Sequence, residues 1–216
     1  MKTRGTISLV FDDGYQEVYD TVLPLLARYN IRGVFAVPLR VDMIAEQPIA
    51  PLTKWQQAAK KHGHEIAAHG ITHTNMTTLS SSELTDELQK PAKEIPATTL
   101  VYPGGARDES VMNAAKKCYT AARSVIRGYE TIPPKNAMAL RTINFSKRNF
   151  SPLKANIHAM RAFLQDVWLI ETYHMVSNSV SPLTHSALID ELEAHLDFIS
   201  SLPVRIVPIQ EVMSTL

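Results

Sequence analysis

ISLVFDDGYQEVYDTVLPLLARY, residues 7–29, carries two periods in succession. Residues 7–11 are a short apolar run that favours extended chain, and Val18, Val22, Leu25, Leu26 and Tyr29 then recur at helical spacing. This is a β-strand followed by an α-helix, and the unit repeats along the chain. Strands are expected at 31–37, 65–68, 99–102, 122–126, 140–145, 167–174 and 204–207. Helices are expected to open at a capping box of Thr53 with Gln56, at another of Ser80 with Glu83, at Asp108 (running to Cys118) and at Ser151-Pro152, with a last one over 184–200. Residues 128–138, with Pro133 and Pro134, read as a surface loop. About seven βα units imply an α/β fold on a parallel sheet, either open and doubly wound or closed into a barrel. Both arrangements gather ligands at the C-terminal ends of the strands.

The length of 216 residues suits a single domain, 1–216, and 45% hydrophobic residues suffice for a substantial core. A formal net charge of +1 without long runs of one sign gives no footprint for nucleic acid or anionic lipid. Apolar stretches fall short of the ~18 residues that span a bilayer, so no membrane insertion is expected. Met1-Lys2-Thr3 leads into a strand instead of a signal-peptide core; as written the chain reads as cytoplasmic, or as secreted with its leader removed. Cys118, the one cysteine, reads as a buried structural thiol, and Trp55 and Trp168 as core.

Four segments carry chemistry. In LVFDDGY (9–15) an apolar strand ends in two carboxylates, and Gly14 lets the chain turn. Alternation along a strand points Asp12 and Asp13 differently, which suits proton transfer by one and metal ligation by the other; an Asp-Gly turn capping the helix is the plainer alternative. HGITH (69–73) sets two histidines four apart on residues that form helices poorly, so a loop presents them. Two imidazoles and one carboxylate hold a zinc-like ion with a position left for water, whose pKa such an ion lowers to about 7. VWLIETYHMV (167–176) ends a strand at His174, suited to deliver a proton to a leaving nitrogen. In LVYPGG (100–105), backbone N–H groups of a glycine turn could face a developing oxyanion.

Taken in order, FDDG, HGxTH, a strand ending in YPGG and a strand ending in His resemble the motifs of the NodB-homology polysaccharide deacetylases, carbohydrate esterase family 4. The resemblance spans roughly residues 7–207. It implies a distorted (β/α) barrel of about seven parallel strands with surrounding helices, and metal-dependent hydrolysis of acetyl groups, N-acetyl favoured, from a polysaccharide or oligosaccharide. By position it assigns Asp12 as base, Asp13, His69 and His73 as ligands of one divalent metal ion (zinc, with Co, Ni or Mn as substitutes), and His174 as acid. It further assigns Gly104 as oxyanion donor, with Tyr102, Pro103 and Gly105 beside the substrate, an acetylated glycan. The family's third motif usually begins with an arginine that orients the base. Val101 stands there, and Arg141, opening the strand-like LRTINF, is the expected replacement. The fourth-motif aspartate that would partner His174 has no counterpart, and His62, His64, His158, His185 and His195 match no family site. Four other readings compete. A phosphatase of the haloacid dehalogenase type needs its two aspartates one residue apart, whereas Asp12 and Asp13 are adjacent. An iron oxygenase would leave Asp12 and His174 idle. The remaining two are hydrolysis of a non-sugar amide on the same scaffold and glycan binding without turnover.

Overall fold

The strand that opens the chain is the staple of the fold. In the computed structural model, which describes residues 3–216, β1 (Thr6–Phe11) is buried along its whole length. Met1 and Lys2, part of the lead-in read from sequence, lie outside the described residues. Six further strands follow in chain order: β2 (Val34–Val37), β3 (Glu65–Ala68), β4 (Thr99–Val101), β5 (Ala121–Arg127), β6 (Leu140–Asn144) and β7 (Trp168–Tyr173). Each pairs in parallel with the next, and β7 returns to β1 over six registered pairs, from Thr6↔Trp168 to Phe11↔Tyr173. The sheet is thus a closed, all-parallel barrel of seven strands, and the choice left open by the βα count falls on the barrel. A short extra strand, Arg205–Ile206, pairs with the lower half of β1, below the point where β2 joins it.

Closure divides every strand by parity. One apolar cluster joins Val10, Val34, Ala36, Ala67, Val101, Ala121, Leu140, Trp168 and Ile170, which fill the barrel, with Ile209 and Val212 plugging its floor. The alternate residues, such as Ile7, Leu9, Phe11, Phe35 and Leu169, pack outward against the helices. Both parities are dry, so β1 reads as a continuous apolar run instead of an alternating one.

The helices are α1 (Gln16–Arg28), α2 (Leu52–His62), α3 (Ser81–Glu94), α4 (Glu109–Ala115), α5 (Pro152–Gln165), α6 (Ile189–Ser201) and α7 (Ile209–Met213). Ser80 and Glu83 form the expected capping box, Asp108 accepts from the Val111 N–H, and Ser151 accepts from Lys154 ahead of Pro152. Three expectations are corrected. Pro51, with its fixed φ, opens α2, so the Thr53–Gln56 box is not used. α4 stops at Ala115, and Cys118 is half-buried beyond it. Residues 186–188, expected as helix, form a strand beside Met175–Ser177 because the Met175 N–H bonds to the His185 carbonyl. Trp55 and Trp168 are both core, and no helix among the described residues is long and apolar enough to cross a membrane.

Candidate active site

Inward parity decides which side chains meet at the barrel mouth. Continuing the inner rows one step past each strand gives Asp12 after Val10, His69 after Ala67, and His174 after Trp168, Ile170 and Thr172; Arg123 follows Ala121 within β5. All four line one cleft of about 110 Å³, together with Asp13, His73, Gly104 and Val125. A larger hollow of about 460 Å³ between α1 and α2 gathers no comparable set of groups.

Asp13 and His73 lie off the strand rows, and the backbone bends to bring them in. Their φ angles are 72° and 57°, in the left-handed region that costs an L-residue roughly 1 kcal/mol or more and that aspartate tolerates better than most. As a result one oxygen, Asp13 Oδ1, stands 3.3 Å from His69 Nε2 and 3.2 Å from His73 Nε2. His69 Nδ1 donates to the Val101 carbonyl at 2.8 Å, which leaves Nε2 with its lone pair turned to the same point. Two neutral imidazole nitrogens and a carboxylate oxygen within 4.8 Å of one another fit a divalent ion of the borderline class. Without the ion, burial raises the Asp13 carboxyl, but hydrogen bonds from His69 and His73 in their protonated forms, with charge from His69 and His174, outweigh it and hold the group well below its usual range.

The loop between the two histidines is shaped by Glu87 on α3. This carboxylate is 6% exposed and accepts from the Ile71 N–H, the Thr72 N–H and the Thr72 hydroxyl. Gly70, at φ 75°, fits against it: a Cβ there would come within 3.0 Å of Glu87 Oε2. Glu87 was legible as an oddity, a charge at 87 within the apolar stripe of Leu84 and Leu88.

Asp12 is 3% exposed, and Arg123, 1% exposed, donates to its Oδ2. Arg123 therefore stands where the sequence suggested Arg141. Arg141 follows the inward-facing Leu140 and so points out of the barrel, where Glu130 accepts from both its backbone and its guanidinium. The signal for Arg123 was a cation in the buried first half of the strand AARSVIR, in phase with Ala121. The YPGG residues separate by parity as well. Tyr102 faces the helix layer and donates its hydroxyl to the Met138 carbonyl at 3.0 Å, so that hydroxyl is not offered to substrate. Pro103 is buried beneath Gly70, and Gly105, at φ 73°, packs so closely on Val125 that a Cβ would lie 2.5 Å from its methyls. Gly104 alone is exposed, at φ 58° with open space beside it, and lines the cleft.

His174 Nε2 lies 3.6 Å from Asp12 Oδ2, while its buried Nδ1 finds no partner. Burial lowers its pKa; the Asp12 and Asp13 carboxylates oppose this, and Arg123 and His185 reinforce it, so the ring is neutral at pH 7. His185, expected to lie apart from the site, rests with its ring centroid 4.9 Å from that of His174. Behind the strand, Glu171 and His195 form a fully buried pair at 3.0 Å, braced by Tyr173 and Asn156.

Comparison with known proteins bears on the family and the fold. A family model described as polysaccharide deacetylase matches residues 1–122. The chain is 27% identical over 135 residues to the peptidoglycan-N-acetylmuramic acid deacetylase PdaA of Bacillus subtilis, covering 59% of this chain and 45% of that protein. It is 29% identical over 97 residues to a bifunctional xylanase/deacetylase of Pseudobutyrivibrio xylanivorans, covering 45% of this chain and 15% of that protein. The chain spans less than half the length of the curated relatives it matches. The fold is shared with the Xyl-CE4 domain of a multidomain xylanase from the hindgut metagenome of Trinervitermes trinervoides, at TM-score 0.67, 17% identity and coverage of 99% and 91%. It is shared also with a CE4 family pseudoenzyme from Bacillus anthracis, at TM-score 0.63, 16% identity and coverage of 99% and 66%. With the family match extending over more than half of its residues, among them Asp12, Asp13, His69 and His73, this chain belongs to the polysaccharide deacetylase family.

Proposed function

We propose that the protein is a metal-dependent deacetylase that hydrolyses N-acetyl groups on a glycan polymer or oligomer. One observation carries the reading: a ligand trio (Asp13, His69, His73), a separate carboxylate held by a buried guanidinium (Asp12 with Arg123) and a neutral histidine share one mouth. A zinc-like ion bound by the trio supplies Lewis acidity, polarising the acetyl carbonyl and lowering the pKa of the attacking water.

The remaining work falls to the chain. Asp12 takes the proton of the attacking water, and its second oxygen, held by Arg123, fixes the carboxylate in the mouth. Exposed Gly104 leaves the backbone bare beside the reacting carbonyl, where its N–H can serve the oxyanion. His174, neutral and 3.6 Å from Asp12 Oδ2, lies beside the base carboxylate and can relay the proton to the departing nitrogen. Dry barrel walls around the Asp12–Arg123 pair keep these charges unscreened.

Binding of glycan without turnover is the reading to set against this one, since a pseudoenzyme shares the fold. The intact acid, base and ligand set favours turnover. The test is acetate release from N-acetylglucosamine oligomers, peptidoglycan and acetylxylan by chelated protein and by protein restored with zinc or cobalt. Metal-restored release that Asp12→Asn abolishes, while metal binding persists, is the expected result. Release that survives chelation, or an Asp12→Asn variant with near-normal turnover, would overturn the mechanism.

A further inference from the structure

A second concentration of donors lies on the outer wall, between α5 and the chain that follows β5. Two hollows of about 510 and 290 Å³ there share Arg127 and His158 and so form one trough along α5. Cations surround it: Arg127, Lys135, Lys154 and Arg161 all line it, and none has a carboxylate oxygen within 4 Å among the described residues. The one carboxylate in the lining, Glu130, is 3% exposed and already taken by Arg141. A chain with net charge +1 has therefore placed four positive groups without a carboxylate partner around a single concavity.

Hydrogen-bond direction sharpens the picture. Arg127 Nη2 stands 3.3 Å from His158 Nε2, and a guanidinium can only donate, so Nε2 is the acceptor. The hydrogen of a neutral His158 is then on Nδ1 and goes to the Tyr129 oxygen. That leaves the Tyr129 hydroxyl hydrogen unspent by this contact. Burial, helped by Arg127, lowers the His158 pKa, which keeps the ring in the neutral form that this relay needs. Arg161 lies over the Tyr129 ring at 4.7 Å and gives its Nε–H to Gln165, which holds the guanidinium at the rim of the trough. Donors thus outnumber acceptors, and the complementary ligand is an oxyanion. Val125 lines the catalytic cleft and Arg127, two residues on in the same strand, lines the trough, so one extended polymer could engage both.

We propose that the trough formed by Arg127, Tyr129, His158 and Arg161 binds a carboxylate or phosphate group carried on the acetylated polymer, making the preferred substrate an anionic glycan. The polymer-borne source rests on the deacetylase reading; the anion site does not. Two measurements separate them. The first is an NMR titration of the metal-loaded protein with inorganic sulfate at low ionic strength. Saturable shifts at residues 127–129 and 158–161, absent in the R127Q/R161Q variant, are expected. The second compares acetate release from neutral N-acetylglucosamine oligomers with release from N-acetylated oligosaccharides that carry carboxylates. The double variant should raise KM for the anionic series by about tenfold or more, as the loss of charge-assisted bonds implies, and leave the neutral series unchanged. No sulfate shifts together with equal KM changes for both series would overturn the proposal. Sulfate shifts without any change in KM would overturn the polymer-borne assignment and make a free anion the ligand. Sulfate binding with no acetate released from either series would sink the deacetylase reading and uphold the anion site.

Discussion

Breaking the Asp12–Arg123 pair probes the structure most directly, because both members are nearly inaccessible, at 3% and 1% exposure. Arg123→Met would leave the Asp12 carboxylate with only His174 nearby, at 3.6 Å. Asp12→Asn would leave a buried guanidinium whose other acceptor is the Ser124 carbonyl at 3.2 Å. Removing one partner of a buried pair costs about 3 to 5 kcal/mol, since the charge left behind has lost the water it would have had in the unfolded chain. Removing both charges avoids that penalty, and the double variant should lose only about 1 to 2 kcal/mol for imperfect packing. The expected coupling is therefore about 3 kcal/mol or more, far above the ~0.5 kcal/mol scatter of independent sites. Urea denaturation of the metal-free proteins reads the cycle, and thermal melts should place each single variant roughly 10 °C below the parent, with the double variant recovering much of that. Losses that simply add would mean that Asp12 and Arg123 do not share a dry site and that Arg123 does not fix the base.

Glu87→Gln should weaken zinc binding by roughly 10- to 100-fold, read by competition with a chromophoric chelator, because the loop joining His69 to His73 loses the carboxylate that organises it. An unchanged affinity would show that the loop holds its shape unaided. Gly105→Ala should destabilise by at least about 1 to 3 kcal/mol, since φ is 73° and the new methyl meets Val125; adding Val125→Ala should recover part of the loss in the same melt. Burial lifts the Glu65 carboxyl to about 7 from 4.5, against the lowering effect of the Gln210 N–H that it accepts. A raised acid contributes stability that is full below its unfolded pKa and is lost as pH rises through the folded one. Unfolding free energy should accordingly fall between about pH 4.5 and 7 by up to about 3 kcal/mol, and Glu65→Gln should flatten that slope. His64 has the opposite sign. Burial first, then His62 and Arg32, lower it to about 4 from 6.5, so its contribution is present above 6.5 and lost as pH falls through about 4; His64→Gln should remove that acid-side loss in pH-resolved denaturation.

Local sequence determined a good deal. The run 7–29 specifies a strand and a helix through short-range periodicity, and the same logic recovers the βα order of the whole barrel, because every element here is stabilised first by its own apolar face. Asp12, Asp13, His69 and His174 were legible for a related reason: each follows directly on an apolar strand, where a polar group is out of place unless it has work to do, and His73 was legible by its spacing from His69. Where the sequence misled over the partner of Asp12, a misassigned face was the cause. Arg141 sits on outward parity and Arg123 on inward parity, and parity has no meaning until it is known that both faces of the strand are buried and which of them is the barrel interior. That knowledge comes from closure, the pairing of residues 6–11 with 168–173 across some 160 positions of chain. No local pattern encodes it, because an open sheet and a closed barrel use the same strands and helices and differ only in whether the two edges find each other. Tertiary structure alone decided that they do, and with that it decided which arginine reaches Asp12.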